Sequence, residues 1–82
     1  MTRADIHILL RDLLREVLDD TSVNPHPDDL ESDIPGFDSG RKIQLILAVE
    51  ERLGVRLRSR EVDGLRRFGD WLNLLHQRVA GP

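Results

Sequence analysis

The sequence predicts an all-α fold, a four-helix bundle of three long helices and one short helix with a long first loop. Apolar residues recur at the i, i+3, i+4 and i+7 spacing of an amphipathic helix in three segments. No segment alternates apolar and polar residues as a half-buried strand does. Proline and glycine interrupt one long stretch between the first two helices. We expect residues 1–82 to form a single domain, because 82 residues suit one small core.

The first predicted helix runs from about Thr2 to Asp19, with Thr2 positioned to cap it. The connection after it spans residues 20–38. Within it, residues 24–27 (Asn-Pro-His-Pro) and 35–36 (Pro-Gly) are incompatible with regular helix. The apolar side chains that we expect to anchor this loop to the core are Leu30, Ile34 and Phe37.

Three further helices are predicted: from Ser39 or Gly40 to Leu53, from Ser59 to Leu65, and from Phe68 to Val79. Gly54 stands where a left-handed C-cap ends the second helix. Trp71 is expected to pack in the core or at its boundary. The second helix has a wide apolar arc, which predicts neighbours on two sides, formed by Ile43, Leu45, Ile46, Leu47, Val49 and Leu53. Its remaining stripe, which should face solvent or a partner, consists of Arg41, Gln44, Ala48, Glu51 and Arg52.

The composition restricts the class of protein. Cysteine is absent, which excludes disulfides, thiolate metal sites and a cysteine nucleophile in this chain. No apolar run approaches the roughly 20 residues that cross a bilayer. The segment from Met1 to Asp5 lacks the apolar core of a signal peptide. We therefore expect a cytoplasmic protein that does not associate with membranes.

The charges are polarised along the sequence although the net charge is only −3. Residues 16–40 contain eight acidic residues and no Lys or Arg, whereas residues 41–67 contain eight basic and four acidic residues. Such an asymmetry can steer a charged partner. Two solvated faces whose charges offset each other would produce the same pattern, and both interpretations stay open.

Three other kinds of site are disfavoured. Residues 52–67 are rich in arginine, but the net charge is negative and aromatic residues are 4% of the chain, so we expect no nucleic-acid partner. His7, His26 and His76 lie in different segments without ligand spacing, so we expect no metal site. No Ser-His-Asp arrangement is recognisable, and we expect no catalytic residues.

The candidate functional site is the segment at residues 37–51. Ser39 follows Asp38 at the start of the strongly apolar second helix. Free backbone N–H groups and the positive end of the helix dipole favour an anion such as phosphate there. A hydroxyl in this place suits covalent attachment of a phosphate-bearing group. A plain helix cap is the alternative role of the Asp38-Ser39 pair, and capping and attachment are compatible.

The motifs resemble those of acyl carrier proteins, the broad family that includes peptidyl and D-alanyl carrier proteins. Asp38-Ser39-Gly40 leads without a gap into an apolar helix that ends in Glu50-Glu51. Residues 55–57 (Val-Arg-Leu) and 61–62 (Glu-Val) match the segment that follows in the family. Residues 68–72 (Phe-Gly-Asp-Trp-Leu) match its last helix. The resemblance covers nearly the whole chain.

The resemblance implies that Ser39 is the attachment point of 4′-phosphopantetheine. A separate phosphopantetheinyl transferase would add this group from coenzyme A with Mg²⁺, and Asp38 would belong to the motif that the transferase recognises. The terminal thiol of the arm would hold an acyl or aminoacyl group as a thioester. The protein would thus be a monomeric, non-catalytic carrier that raises the effective concentration of its cargo at successive enzymes.

Two departures from the family pattern bear on the pathway. Gly40 replaces the usual Leu or Met, and Arg41 and Lys42 stand in a helix that is acidic in carriers of fatty acid synthesis. They favour a dedicated carrier in polyketide or nonribosomal peptide biosynthesis, or for an activated amino acid. Its partners would be an adenylating acyl or amino acid ligase and synthase or transferase enzymes. The alternative is a helical protein-interaction adaptor with the same fold and no prosthetic group. The residues expected to dock on partners are Gly40, Arg41, Gln44, Ala48 and Glu51.

Overall fold

The computed structural model describes residues 1–80, so residues 81 and 82 of the expected domain lie outside it. Helices α1 (Arg3–Leu18), α2 (Ser39–Leu53), α3 (Ser59–Asp63) and α4 (Phe68–Ala80) follow one another along the chain. A single 3-10 turn at Glu31–Asp33 interrupts the first loop. These elements confirm the predicted all-α class with three long helices and one short helix.

Helix α1 is closed by caps at both ends, within one residue of the predicted bounds. The Thr2 hydroxyl oxygen accepts a hydrogen bond from the Asp5 backbone N–H at 3.1 Å, and the Asp5 carboxylate accepts one from the Thr2 N–H at 3.0 Å. This reciprocal capping box satisfies two donors at the helix start. At the other end Asp19 adopts the left-handed conformation with φ 51°, which aspartate tolerates better than most residues.

The long first loop is held by the start of α4. The backbone N–H of Phe68 donates to the Asp29 carbonyl at 2.9 Å, and that of Gly69 donates to the Pro27 carbonyl at 2.8 Å. The first N–H groups of a helix have no partner within the helix, so these loop carbonyls satisfy them. A Cβ atom on Gly69 would lie 2.9 Å from the Pro27 carbonyl oxygen. Glycine therefore permits this close approach of loop and helix.

The three apolar residues predicted to anchor the first loop differ in how deeply they are buried in the core. Ile34 is buried in the core and Phe37 packs against it. Leu30 is half-buried, and its backbone forms an isolated antiparallel bridge with Arg67.

The core lies where α1 packs against both α2 and α4. Trp71 is 1% exposed, which confirms that it is a core residue. The rings of His7 and Phe68 lie 5.2 Å apart between their centroids and join α1 to the start of α4. The buried apolar side chains are Ile6, Leu10, Leu13, Leu14, Val23, Ile34, Leu45, Val49, Leu65, Phe68, Trp71, Leu72 and Leu75.

The predicted apolar arc of α2 is wrong for two residues. Leu45 and Val49 are buried, but Ile43 and Leu47 are each 59% exposed. Both lie two positions from Leu45, which places them about 200° around the helix from it. Because α2 packs along one side, its outer face remains apolar and open to solvent.

The segment between α2 and α4 contains a shorter helix than predicted. Gly54 ends α2 in the left-handed conformation with φ 66°, as its position indicated. Helix α3 ends at Asp63 instead of Leu65, and Leu65 is buried as part of the connection to α4. Within residues 1–80, none of the helices combines the length and apolar character that crossing a membrane requires.

Candidate functional site

Asp38 is the N-cap of α2. Its backbone is extended, with φ −127° and ψ −175°, and its carboxylate oxygen Oδ1 accepts the Arg41 backbone N–H at 2.8 Å. Its own carbonyl accepts the Lys42 N–H at 2.8 Å, the first hydrogen bond of the helix. Ser39 is therefore the first residue with helical geometry.

Ser39 is exposed, and its hydroxyl makes no hydrogen bond to any of the residues that the structure describes. Capping by Asp38 removes the usual reason for a serine at a helix start to fold back on the backbone. The backbone N–H groups of Ser39 and Gly40 also find no acceptor within the described chain. An exposed hydroxyl oxygen thus stands beside two free donors, an environment that favours an attached anion.

A shallow cleft of about 270 Å³ is lined in part by Ser39. Beside it, the Lys42 ammonium nitrogen lies 2.9 Å from one carboxylate oxygen of Glu31, and the Trp71 indole N–H donates to the other at 2.5 Å. Both charged side chains are largely covered, with 20% and 16% exposure. Glu31 therefore connects the start of α2 to α4. The cleft is lined by Glu31, Ser32, Phe37, Asp38, Ser39 and Lys42.

The five predicted docking residues do not share one environment. Gly40, Gln44 and Glu51 are exposed on the outer side of α2. Arg41 is half-buried, and its guanidinium donates to the Val17 carbonyl of α1 at 2.6 Å. The remaining docking candidate, Ala48, is half-buried against the core. Docking by these five residues stays a prediction, but Arg41 already has a partner on α1 and Ala48 is partly covered by the core.

An exposed apolar row, formed by Ile43 and Leu47, runs along α2 from Ser39. The three residues follow an i, i+4, i+8 spacing, which keeps them on neighbouring positions of one helix side. Sequence reasoning missed this row because it assigned Ile43 and Leu47 to the buried arc of α2. The spacing from Ser39 is the signal that could have found it.

Two solved structures are similar to this chain over most of its length. The solution NMR structure of a holo acyl carrier protein from Geobacter metallireducens superposes with a TM-score of 0.84 at 26% identity, covering 90% of this chain and 85% of that one. A putative acyl carrier protein from Mycobacterium tuberculosis gives a TM-score of 0.74 at 21% identity, with coverage of 92% and 95%, and bears on the fold alone. No protein-family model matches the sequence, and no curated protein matches it significantly.

The fold and the first of these likenesses confirm the resemblance to acyl carrier proteins. They support the acyl carrier protein family for this chain and a carrier role within it.

Proposed function

We propose that this chain is a carrier protein to which 4′-phosphopantetheine is attached at Ser39, with residues 1–82 forming one carrier domain. The observation that supports attachment best is the exposed hydroxyl of Ser39 at the first position of α2. Asp38 caps the helix in its place, so the hydroxyl is free to react. The chain itself has no catalytic role in this proposal; a phosphopantetheinyl transferase performs the modification with coenzyme A and Mg²⁺.

The surroundings of Ser39 fit such a group. A phosphodiester on its oxygen would lie next to the free N–H groups of the first helical turn, which favour negative charge. The similar Geobacter protein is described as a holo acyl carrier protein. Once attached, the group supplies the thiol that a chain without cysteine lacks.

The outer face of α2 is the proposed docking surface for partner enzymes. It combines the predicted residues Gly40, Gln44 and Glu51 with the apolar row of Ile43 and Leu47. Burial of that row against a partner would gain about 25 cal/mol per Å² of apolar surface removed from water. Arg41 and Ala48 contribute from the edge of this face.

The charge of this face favours a dedicated pathway over fatty acid synthesis. For three turns after Ser39 its exposed side chains are neutral, and Arg41 and Lys42 are bonded within the protein. A strongly basic enzyme surface would find few carboxylates there. We therefore propose an adenylating ligase and a synthase or transferase of polyketide, nonribosomal peptide or aminoacyl metabolism as partners. The cytoplasmic location stays a prediction.

Attachment is tested by mass spectrometry after incubation with coenzyme A, Mg²⁺ and a broad-specificity phosphopantetheinyl transferase. The wild-type chain should gain one phosphopantetheinyl group, and Ser39→Ala should gain none. Ser32→Ala is the matched control, because Ser32 is another exposed serine of the same cleft, and this variant should be modified like the wild type.

An unmodified wild-type chain that is folded by circular dichroism would contradict the proposal and favour the adaptor alternative. Modification that persists in Ser39→Ala would place the attachment on another residue.

A further inference from the structure

The arginine side chains fall into two groups. Most of them are bonded within the protein: Arg3, Arg11, Arg15, Arg41, Arg66, Arg67 and Arg78 each donate to a carbonyl, carboxylate or amide oxygen. The others make no hydrogen bond or ion pair through their guanidinium groups to any residue in the 1–80 range, and all are exposed. These are Arg52, Arg56, Arg58 and Arg60. Arg52 lines a cleft on the α1 side of α2 with Glu16 and Glu51, and we call the other three, Arg56, Arg58 and Arg60, the arginine surface.

The arginine surface lies at the end of α2 that is remote from Ser39. All three residues fall between the end of α2 and the first turn of α3. From Ser39 to Leu53 the helix rises about 21 Å, at 1.5 Å per residue. This surface is therefore separate from the outer face of α2 near the attachment site.

The connection between the helices directs two of these arginines outward. Val55 and Leu57 are half-buried, whereas Arg56 and Arg58 are exposed, the alternation of an extended segment with one side on the core. The Glu50 carboxylate accepts the Leu57 N–H at 2.9 Å and so holds the segment in place. The side chains of Arg56 and Arg58 consequently lie on the same, solvent-facing side of this segment.

Two carboxylates near this surface are hydrogen-bonded to groups other than its guanidiniums. Glu61 accepts hydrogen bonds from the Arg78 guanidinium and from the Arg58 backbone N–H, and Glu50 is directed to the Leu57 backbone. Three guanidinium groups within five residues thus have no hydrogen bond or ion pair among residues 1–80 and are open to an external partner.

We propose that the arginine surface binds a cluster of Asp and Glu carboxylates on the surface of a partner enzyme. This proposal rests on the proposed carrier function and adds to it a second contact, which would orient Ser39 toward that enzyme. Guanidinium groups bind carboxylates in paired, planar hydrogen bonds, and such complementary charges speed encounter and fix register.

A protein partner fits this surface better than nucleic acid or a membrane. Residues 56–60 contain none of the large apolar side chains that are exposed, so this segment has nothing to insert into a membrane surface. In the described part of the chain, the large apolar side chains that are exposed include no aromatic ring on which a base could stack. Carboxylates on a protein surface need neither an inserted apolar side chain nor a stacking ring to bind guanidinium groups.

The test is a titration of the full ¹⁵N-labelled chain with a polyglutamate peptide at low salt, followed by NMR. Shifts should concentrate in residues 56–60. The double variant R56Q/R58Q should bind about 10-fold more weakly, since it loses two charge-assisted contacts. R3Q/R11Q is the matched control, because it removes the same charge from arginines of α1 that are bonded within the protein, and its affinity should stay within about 2-fold.

Absence of binding, shifts centred elsewhere, or equal losses in both double variants would overturn the arginine surface as a specific site. Tighter binding of duplex DNA or of phosphatidylglycerol vesicles than of polyglutamate would overturn the assignment to a protein partner. Modification of Ser39 is measured on the same samples. Its failure in the wild type would refute the carrier function, whereas normal modification with no peptide binding would refute this inference alone.

Discussion

At the scale of single residues, the chemistry available to the site depends on which of Asp38 and Ser39 caps α2. Either side chain could cap α2, since both are favoured at helix starts. The extended backbone at Asp38 makes that residue the cap, with its carboxylate 2.8 Å from the Arg41 nitrogen. Ser39 falls one position inside the helix, where its hydroxyl is exposed and free for chemistry.

Asp38→Ala should lower the free energy of unfolding by about 1 kcal/mol, because the Arg41 N–H loses its acceptor. Asp38→Asn should stay within a few tenths of a kcal/mol, because asparagine caps equally well. Urea denaturation of both variants measures this difference.

The Asp38→Ala and Asp38→Asn variants also separate the capping of α2 by Asp38 from recognition of Asp38 by the transferase. If the transferase recognises the charge of Asp38, Asp38→Asn should be modified at Ser39 more slowly than the wild type despite its normal stability. Equal stability of the Ala and Asn variants would show that the cap contributes little.

At the scale of the helices, α2 has two apolar faces with different roles. Leu45 and Val49 pack into the core, whereas Ile43 and Leu47 face solvent next to Ser39. A surface helix needs only one apolar stripe for folding. The second stripe is therefore available for binding.

Leu45→Ala should lower the free energy of unfolding by roughly 2–5 kcal/mol, because it leaves a cavity at a site that is 2% exposed. Leu47→Ala makes the same chemical change on the same helix at a site that is 59% exposed. It should change stability by about 0.5 kcal/mol or less. Chemical denaturation gives both values, and similar losses in the two variants would contradict the orientation of α2.

At the scale of the whole molecule, polar contacts hold the irregular segments on the helical core. Glu31 joins the first loop to Lys42 and Trp71, and Glu61 joins α3 to Arg78 of α4. Helix α3 is only five residues long, and so short a helix is not stable alone. Its position depends on this tertiary contact.

The contact between α3 and α4 should make stability depend on pH. The hydrogen bond from Arg78, and then that from the Arg58 backbone, lowers the pKa of Glu61 from 4.5 to about 2. Because the pKa is lower in the folded state, ionised Glu61 stabilises the protein above about pH 4.5, and this contribution is lost as the pH falls toward 2.

Glu61→Gln should therefore be less stable than the wild type near pH 7, and the difference should shrink below about pH 4.5. Denaturation curves of both proteins across this range measure the difference. A difference that is independent of pH would show that the charge of Glu61 makes no contribution.

Local sequence signals predicted those features that depend on a few neighbouring residues. The N-cap of α1 at Thr2, the start of α2 after Asp38 and its end at Gly54 all follow from residue types at fixed positions. The extent of α3 was overestimated because Leu65 is buried from the connection instead of from the helix. Burial alone does not require helical geometry.

The sequence by itself determined the helical class, the order of the helices and the serine at the start of α2, because capping and periodicity are local properties of the chain. The tertiary structure decided which apolar face of α2 is buried, which cations are bonded internally and which arginines remain exposed. These depend on neighbours distant in sequence, such as Val17 for Arg41 and Glu31 for Lys42. Only packing of the helices brings such residues together.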